Sequence, residues 1–297
     1  MAKDIYWHLP GMTVYFYLNQ VVIKMMKEHP EKFREGYRIG SVYGTFPGAI
    51  WNGGRAVFGI TPRSNMDKII KTYNAFDVPV RFTWTNSLLE EKHLNDTYCN
   101  LIMELADNDM NQVLCNSEIL EKYLREKYPT FRYLSSTTKR ITDPDALKAE
   151  LEKDYFLVVL DYDLNHDKKT LDAIKPYADK IEILVDEVCF PNCKKRLNHY
   201  EDESRMQLNF DVATTPYDCP NYKKKPEFED CKKRPHFIDC DEIAKYAEDG
   251  FVNFKLVGRG LPMDMVIESY VYYLANEADR DFVLDKIKTT LAKIMGR

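Results

Sequence analysis

From residue 37 onward the apolar positions repeat one order: a short run, apolar on both faces, then a longer stretch with apolar residues three and four apart. The short runs read as strands at Tyr37–Tyr43, Val78–Trp84, Asn111–Leu114, Phe131–Leu134, Tyr155–Leu160, Ile181–Val185 and Phe251–Val257. Between them, helical spacing covers Asn65–Phe76, Leu94–Asp107, Glu118–Tyr128, Asp143–Glu152, Lys169–Ala178 and Asp241–Ala247. Pro144 stands at the first position of its helix, where its missing N–H costs nothing. Upstream, Thr13–Glu28 reads as a helix that stops at His29-Pro30, and Lys3–Pro10 reads as an irregular lead-in. Met263–Ala275 and Arg280–Met295 close the chain as helices.

Strands that alternate with helices imply a parallel sheet with right-handed crossovers. Strands without a polar face imply that both faces are covered. The fold class is therefore α/β. A (β/α) TIM-like barrel is preferred to an open doubly wound sheet because the strands end in polar residues: Thr83, Thr85, Asn86, Asn116, Ser135, Lys139, Asp161, Asp163, Asp186, Glu187 and Arg259. In a barrel these ends converge on one mouth, where barrel active sites lie. Only seven strands are legible, so the barrel is incomplete or borrows Arg55–Ile60 for the eighth. The expected organisation is a helical lead-in at 1–36 and a barrel domain at 37–297, with a cysteine-rich insertion at 187–240 after the sixth strand.

Composition narrows the function classes. The chain has 297 residues, 44% of them apolar and 30% charged, enough for a large core under a solvated surface. No run of about twenty uncharged apolar residues exists, so no membrane contact is expected. Met12–Ile23 lacks the basic lead and cleavage site of a signal peptide, and the expected location is cytoplasmic. A net charge of −5 argues against a globally basic nucleic-acid binder. Lys223–Lys225 and Lys232–Arg234 form a basic cluster that can touch RNA phosphates, but acidic residues interleave it and a solvated loop is the plainer reading.

The cysteines carry the most specific signal. Five of seven fall between residues 189 and 240, at Cys189, Cys193, Cys219, Cys231 and Cys240. An odd count without a secretion signal points to metal binding or free thiols rather than a disulfide framework. Turns flank Cys189, Cys193 and Cys219, and thiolates on turns can converge on one soft cation or cluster. The expected ligands are Cys189, Cys193, Cys219 and Cys240, with Cys231 as the alternative fourth; three cysteines with one open iron is a further arrangement. The spacing fits no standard zinc ribbon. Cys99 and Cys115 read as small core residues.

Ser135-Ser-Thr-Thr138, Leu157-Val-Val-Leu-Asp-Tyr-Asp-Leu164, Ile181-Glu-Ile-Leu-Val-Asp-Glu-Val-Cys189, Phe237-Ile-Asp-Cys-Asp-Glu-Ile243 and Phe254-Lys-Leu-Val-Gly-Arg259 follow one another in a recognisable order. In these the chain resembles the collagenase-like peptidases, the thirty-second family of unassigned peptidases. The resemblance implies an α/β barrel. It also implies kinship with oxygen-independent hydroxylation factors, which carry a four-iron four-sulfur cluster and act on RNA or a quinone precursor. This chain has Asp186-Glu187 where members usually have His-Gly, so it is a divergent branch.

Around that segment, Glu187, Asp161, Asp163 and Lys255 are the candidate catalytic groups. Lys255 lies inside an apolar strand, where an unpaired charge is costly, and is expected to reach Glu187 or a ligand anion. Arg259, Arg55, Asn116 and Lys139 are the candidate substrate-binding residues, the arginines suiting bidentate anion contacts. His199 can ligate or relay protons, though an ordinary surface role is the plainer one. The leading expectation is an iron–sulfur barrel acting on RNA or a small aromatic substrate, served by an electron-donor protein. The alternatives are a non-catalytic binding module with structural zinc, and a peptidase, for which no nucleophile–base pair or zinc motif is visible.

Overall fold

The computed structural model describes residues 4–211, 219, 221, 226–258 and 260–296. Eight parallel strands close into a barrel in sequence order: β1 Ile5–Leu9, β2 Tyr37–Gly44, β3 Val80–Trp84, β4 Gln112–Cys115, β5 Arg132–Ser135, β6 Leu157–Val159, β7 Ile181–Leu184 and β8 Asn253–Lys255. Twelve helices are described: α1 Phe16–Glu28, α2 Arg63–Asn74, α3 Glu91–Leu94, α4 Thr97–Leu105, α5 Glu118–Lys127, α6 Pro144–Glu152, α7 Lys168–Ile174, α8 Arg196–Asn209, α9 Phe228–Lys232, α10 Ile243–Glu248, α11 Met263–Leu274 and α12 Arg280–Ile294. Asp96, Ser117, Asp143 and Asp167 cap four of them through side-chain oxygens that accept backbone N–H groups of the first turn.

The barrel is complete, and the eighth strand lies in the segment read as an irregular lead-in. Ile5–Leu9 pairs with β2 on one side and with β8 on the other. It escapes notice because it is short, stops at Pro10 and carries His8 at a position that faces inward. Residues 4–36, read as a helical lead-in, are thus no separate unit: they supply a barrel strand, and α1 packs on α12. Arg55–Ile60 is not a strand. The cysteine-rich segment follows β7, the seventh strand.

The barrel wall separates two kinds of interior. Between strands and helices lies the main apolar core, where Trp7 meets the rings of Tyr37, Phe254 and Tyr273 at 5.5, 5.5 and 5.2 Å. Inside the barrel, Leu114, Leu134, Leu157, Val159 and Leu184 pack on the β4–β7 side against Tyr162 and Cys189. The opposite side is charged. Glu182 is fully buried; its Oε1 lies 3.2 Å from Lys255 Nζ and its Oε2 bonds Arg81 Nη1. Arg81 also donates to Gln112 Oε1 at 2.8 Å. Lys255 therefore does face inward, but its partner is Glu182 and not Glu187. Two buried cations in one layer serve one carboxylate, which an apolar barrel layer would not require.

Candidate active site at the carboxyl-end mouth

Three short chain segments build the mouth. β6 runs into Asp161, whose Oδ1 accepts the Asp163 N–H at 3.0 Å and so turns the chain into a 3₁₀ turn. Arg140, held in the left-handed region at φ 56°, reaches Asp161 Oδ2 at 3.2 Å and Asp163 Oδ2 at 2.6 Å. Asp161 is nevertheless pushed up to about 6, because burial outweighs the pull of Arg140. Between these carboxylates Tyr162 is fully buried, its ring 5.0 Å from the Arg140 guanidinium and 5.1 Å from that of Arg196.

β7 runs into Asp186 and Glu187. Asp186 accepts from the Val257 N–H at 2.8 Å and the Ser269 hydroxyl at 2.6 Å, and so ties β7 to the end of β8 and to α11. Burial pushes its carboxyl up to about 7. Glu187 turns the other way. Burial alone would raise it, but Arg196 and Arg55 outweigh that and hold it below the usual range. Its Oε2 lies 3.0 Å from Arg196 Nη2, and its Oε1 accepts the Cys189 N–H at 3.0 Å. The Cys189 thiol is raised by burial, with Arg196 opposing. Pro191-Asn192 then forms the expected turn, with Asn192 at φ 50° and its N–H on Asp163 Oδ1 at 3.0 Å.

The third segment is α8, which lies across the mouth. Arg196 donates to the Tyr200 hydroxyl at 2.7 Å. Glu203 accepts the Ala56 N–H at 2.6 Å, and Gln207 accepts the Val57 N–H at 2.7 Å. The loop that carries Arg55 is thereby fastened to the helix instead of joining the barrel wall. Asn86 fastens it from the other side, donating to the Ile50 and Ser204 carbonyls at 3.0 and 3.1 Å. Gly53 is required here: a Cβ at that position would sit 2.2 Å from the Thr85 carbonyl oxygen.

The candidate residues separate into those at the mouth and those elsewhere. Glu187, Asp161, Asp163, Arg55, Cys189 and Cys193 gather there, and Cys193 packs with Cys189 at the end of the inner apolar cluster. Asn116 donates to Thr138 Oγ1 at 2.8 Å. Lys139 is occupied by Glu150 at 2.7 Å and by the Tyr155 hydroxyl at 3.1 Å. His199 pairs with Glu203 at 3.2 Å within α8. Arg259 and the basic run Lys223–Lys225 lie outside the described residues. Cys99 and Cys115 are buried in the main core, as expected.

The thiols divide in the same way. Asn221 donates to the Val188 carbonyl at 3.0 Å, and Cys219 is half-buried. Cys240 belongs to the outer shell, where Arg34 and Arg280 donate to its sulfur at 3.4 and 3.3 Å. Cys231 is buried in α9 within the main core. Among the described residues, the one trio of ligand atoms close enough for a single ion is Asp239, Cys240 and Asp241. A cubane cluster spaces its ligand sulfurs more widely than one ion does, a spacing open to Cys189 and Cys193, which pack together. Cys240 does not fit that set.

Sequence reasoning missed Arg140, Arg196 and His236. His236 donates from Nε2 to the Glu187 carbonyl at 2.9 Å, and its ring lies 4.8 Å from that of Tyr162. Its Nδ1 is buried with no partner among the described residues, and burial holds the ring below the usual histidine range. Arg196 stands third in the basic run Lys194-Lys195-Arg196, and nothing in the sequence marks it out from its neighbours.

No known family profile and no curated protein matches the sequence. Among solved structures, that of the U32 peptidase Mk0906 superposes with a TM-score of 0.57 at 13% identity. The match covers 88% of this chain and 96% of that one. The chain has a U32-like TIM-barrel fold. Among the described residues, no helix is long and apolar enough to cross a membrane.

Proposed function

We propose that the chain is a barrel enzyme working at the carboxyl-end mouth, with Cys189, Cys193 and Cys219 holding an iron–sulfur cluster that leaves one position for substrate. The observation that carries this reading is the meeting of Cys189 and Cys193 with the buried Glu187–Arg196 pair, under a helix that shields the mouth. When bound, such a cluster supplies one-electron chemistry and an electrophilic iron. The chain's own residues do the rest. Arg196, fixed by Glu187 and Tyr200, orients groups beside the thiols. Asp161, which titrates at about 6, exchanges a proton near neutral pH. Arg55 adds positive charge on the loop side. An aromatic or nucleobase substrate, delivered free or on RNA, suits a cleft that pairs Tyr162 and Tyr200 with guanidinium groups, and reduction of the cluster calls for an electron-donor protein.

Anaerobic purification followed by iron and sulfide assay is the test. The expected result is a coloured protein that loses its iron in Cys189→Ser and Cys193→Ser and keeps it in Cys240→Ser. A colourless, iron-free protein overturns the proposal; tightly held zinc in its place would point to a structural metal and a binding module.

A peptidase reading is favoured by the solved neighbour, which is named as a peptidase. The constellation that would carry it is Cys189 beside Tyr162, with neutral His236 against the same tyrosine. A thiol raised by burial is a poor resting nucleophile, so this reading requires substrate to lower it. Loss of peptide cleavage on Cys189 alkylation, in iron-free protein, is its test.

A further inference from the structure

A cavity of about 1260 Å³ lies at the opposite, amino-terminal end of the barrel. His8, Gln112 and Asn253 line it from within the barrel, and Tyr6 and Phe156 line it from its edge. We infer that this funnel is a second binding site, for a flat, uncharged heterocycle with a carbonyl and amide N–H edge, as in a nucleobase.

The floor offers fixed hydrogen-bonding groups and no spare charge. Arg81 can only donate, so the Gln112 oxygen faces Arg81 and its amide nitrogen is left without a protein partner among the described residues. Gln112 is 2% exposed, and what it shows faces the cavity. His8 has one tautomer available. Arg81 Nη2 donates to its Nδ1 at 3.0 Å, so the proton sits on Nε2. That N–H has only long contacts, 3.3 Å to Glu182 and 3.4 Å to Asn253 Oδ1. Asn253 presents the acceptor, its own amide being used by the Asp179 carbonyl at 3.0 Å.

Local backbone geometry aims His8 at this floor. The β1–β2 register slips between Trp7 and His8, leaving Gly40 as the extra residue of a bulge. A Cβ on Gly40 would lie 2.7 Å from the His8 ring. The cations that line the funnel are engaged. Arg125 binds Glu121 and Asp154, Lys180 binds two carbonyls, and Arg132 donates to the Asp109 carbonyl over the Phe156 ring. The same lining carries the carboxylates of Asp77, Asp154 and Asp179, which balance its three cations and leave no net charge to draw an anion, whereas Tyr6 and Phe156, 39% and 43% exposed, leave aromatic surface open for stacking.

The test is calorimetric titration of the full chain with uracil and adenine as probes and glucose as a control. The expected result is saturable binding of at least one base, weakened about tenfold by Gln112→Glu, which keeps the acceptor for Arg81 and removes the donor. Tyr6→Ala and Phe156→Ala, both at exposed positions, should each weaken it several-fold without changing the melting temperature. Cys189→Ser should leave it unchanged, which separates this site from the mouth. Absence of saturable binding up to about 10 mM overturns the inference, as does binding that all three funnel variants leave intact.

Discussion

Lys255 Nζ lies 3.2 Å from Glu182 Oε1, on the far side of a carboxylate whose other oxygen is held by Arg81. Both cations hold Glu182 ionised despite complete burial, well below the usual carboxylate range. The arrangement makes Glu182 the member that cannot be removed. Glu182→Gln leaves Arg81 and Lys255 facing each other in the barrel interior. Breaking a buried pair from one side costs about 3–5 kcal/mol, so this variant should melt far lower or fail to fold. Lys255→Met, which leaves the Arg81–Glu182 contact, should cost less. Chemical denaturation of the two variants checks the order, and equal stability would contradict it.

His8 adds a pH dependence to the same layer. Burial, aided by Arg81, lowers it to about 3, against about 6.5 in an unfolded chain. The unfolded state therefore takes up a proton first. Stability contributed here is complete above about pH 6.5 and is lost as pH falls toward 3, by up to about 4 kcal/mol. His8→Asn, which cannot titrate, should flatten that part of the stability curve. An unchanged slope between pH 6.5 and 4 would count against a neutral, buried His8.

How much of this is legible in the sequence depends on how each element declares itself. β2 to β8 are visible because their residues are apolar on both faces, and their polar ends mark the mouth. β1 is hidden because its inward position carries a histidine instead of an aliphatic residue, which breaks the run. The barrel layer shows why the partner of Lys255 cannot be read from the chain: Glu182 sits inside a strand as a single acid among apolar residues, and only closure of the ring brings β7 beside β8 at that height. At the mouth, Glu187, Asp161 and the first two cysteines are reachable from sequence. Arg140 and Arg196 are not, because their loop and helix acquire a direction only on packing.

Asp186 works on pH in the opposite sense to His8. Its carboxyl titrates at about 7 in the folded protein and near 4 in the unfolded chain. A raised acid binds its proton more tightly when folded, so its contribution is largest below about pH 4 and is lost as pH rises toward 7. Asp186→Asn keeps one acceptor for Val257 and lets the Ser269 hydroxyl turn to accept. It should abolish the loss of stability between pH 4 and 7 at little cost near neutrality. Denaturation curves of this variant beside His8→Asn separate the two opposing slopes, and a variant that keeps the wild-type slope would remove Asp186 as its source.

Gly53 is where the mouth is most sensitive to a single methyl group. The atom a Cβ would strike is a backbone carbonyl at the end of β3, which cannot swing aside as a long side chain can. Gly53→Ala should cost about 1–3 kcal/mol and loosen the loop from α8. Faster hydrogen exchange at Ala56 and Val57, whose N–H groups rest on Glu203 and Gln207, is the local sign. A stable variant with unchanged exchange would show that the loop accommodates the methyl group.

Arg196 and Glu187 pull on the Cys189 thiol in opposite directions. The guanidinium favours the thiolate and the carboxylate opposes it, with burial raising the thiol beyond both. Removing either partner should move the thiol in a known sense. Arg196→Met raises it further, and in metal-free protein alkylation of Cys189 at mildly alkaline pH should slow. Glu187→Gln lowers it and should speed the same reaction. Below its pKa, a thiol whose pKa falls by one gains about tenfold in thiolate population, a change that peptide mass spectrometry across a pH series resolves. Because accessibility alone would move both variants the same way, opposite changes are the result that identifies electrostatic control; parallel changes would mean that the pair only closes the mouth.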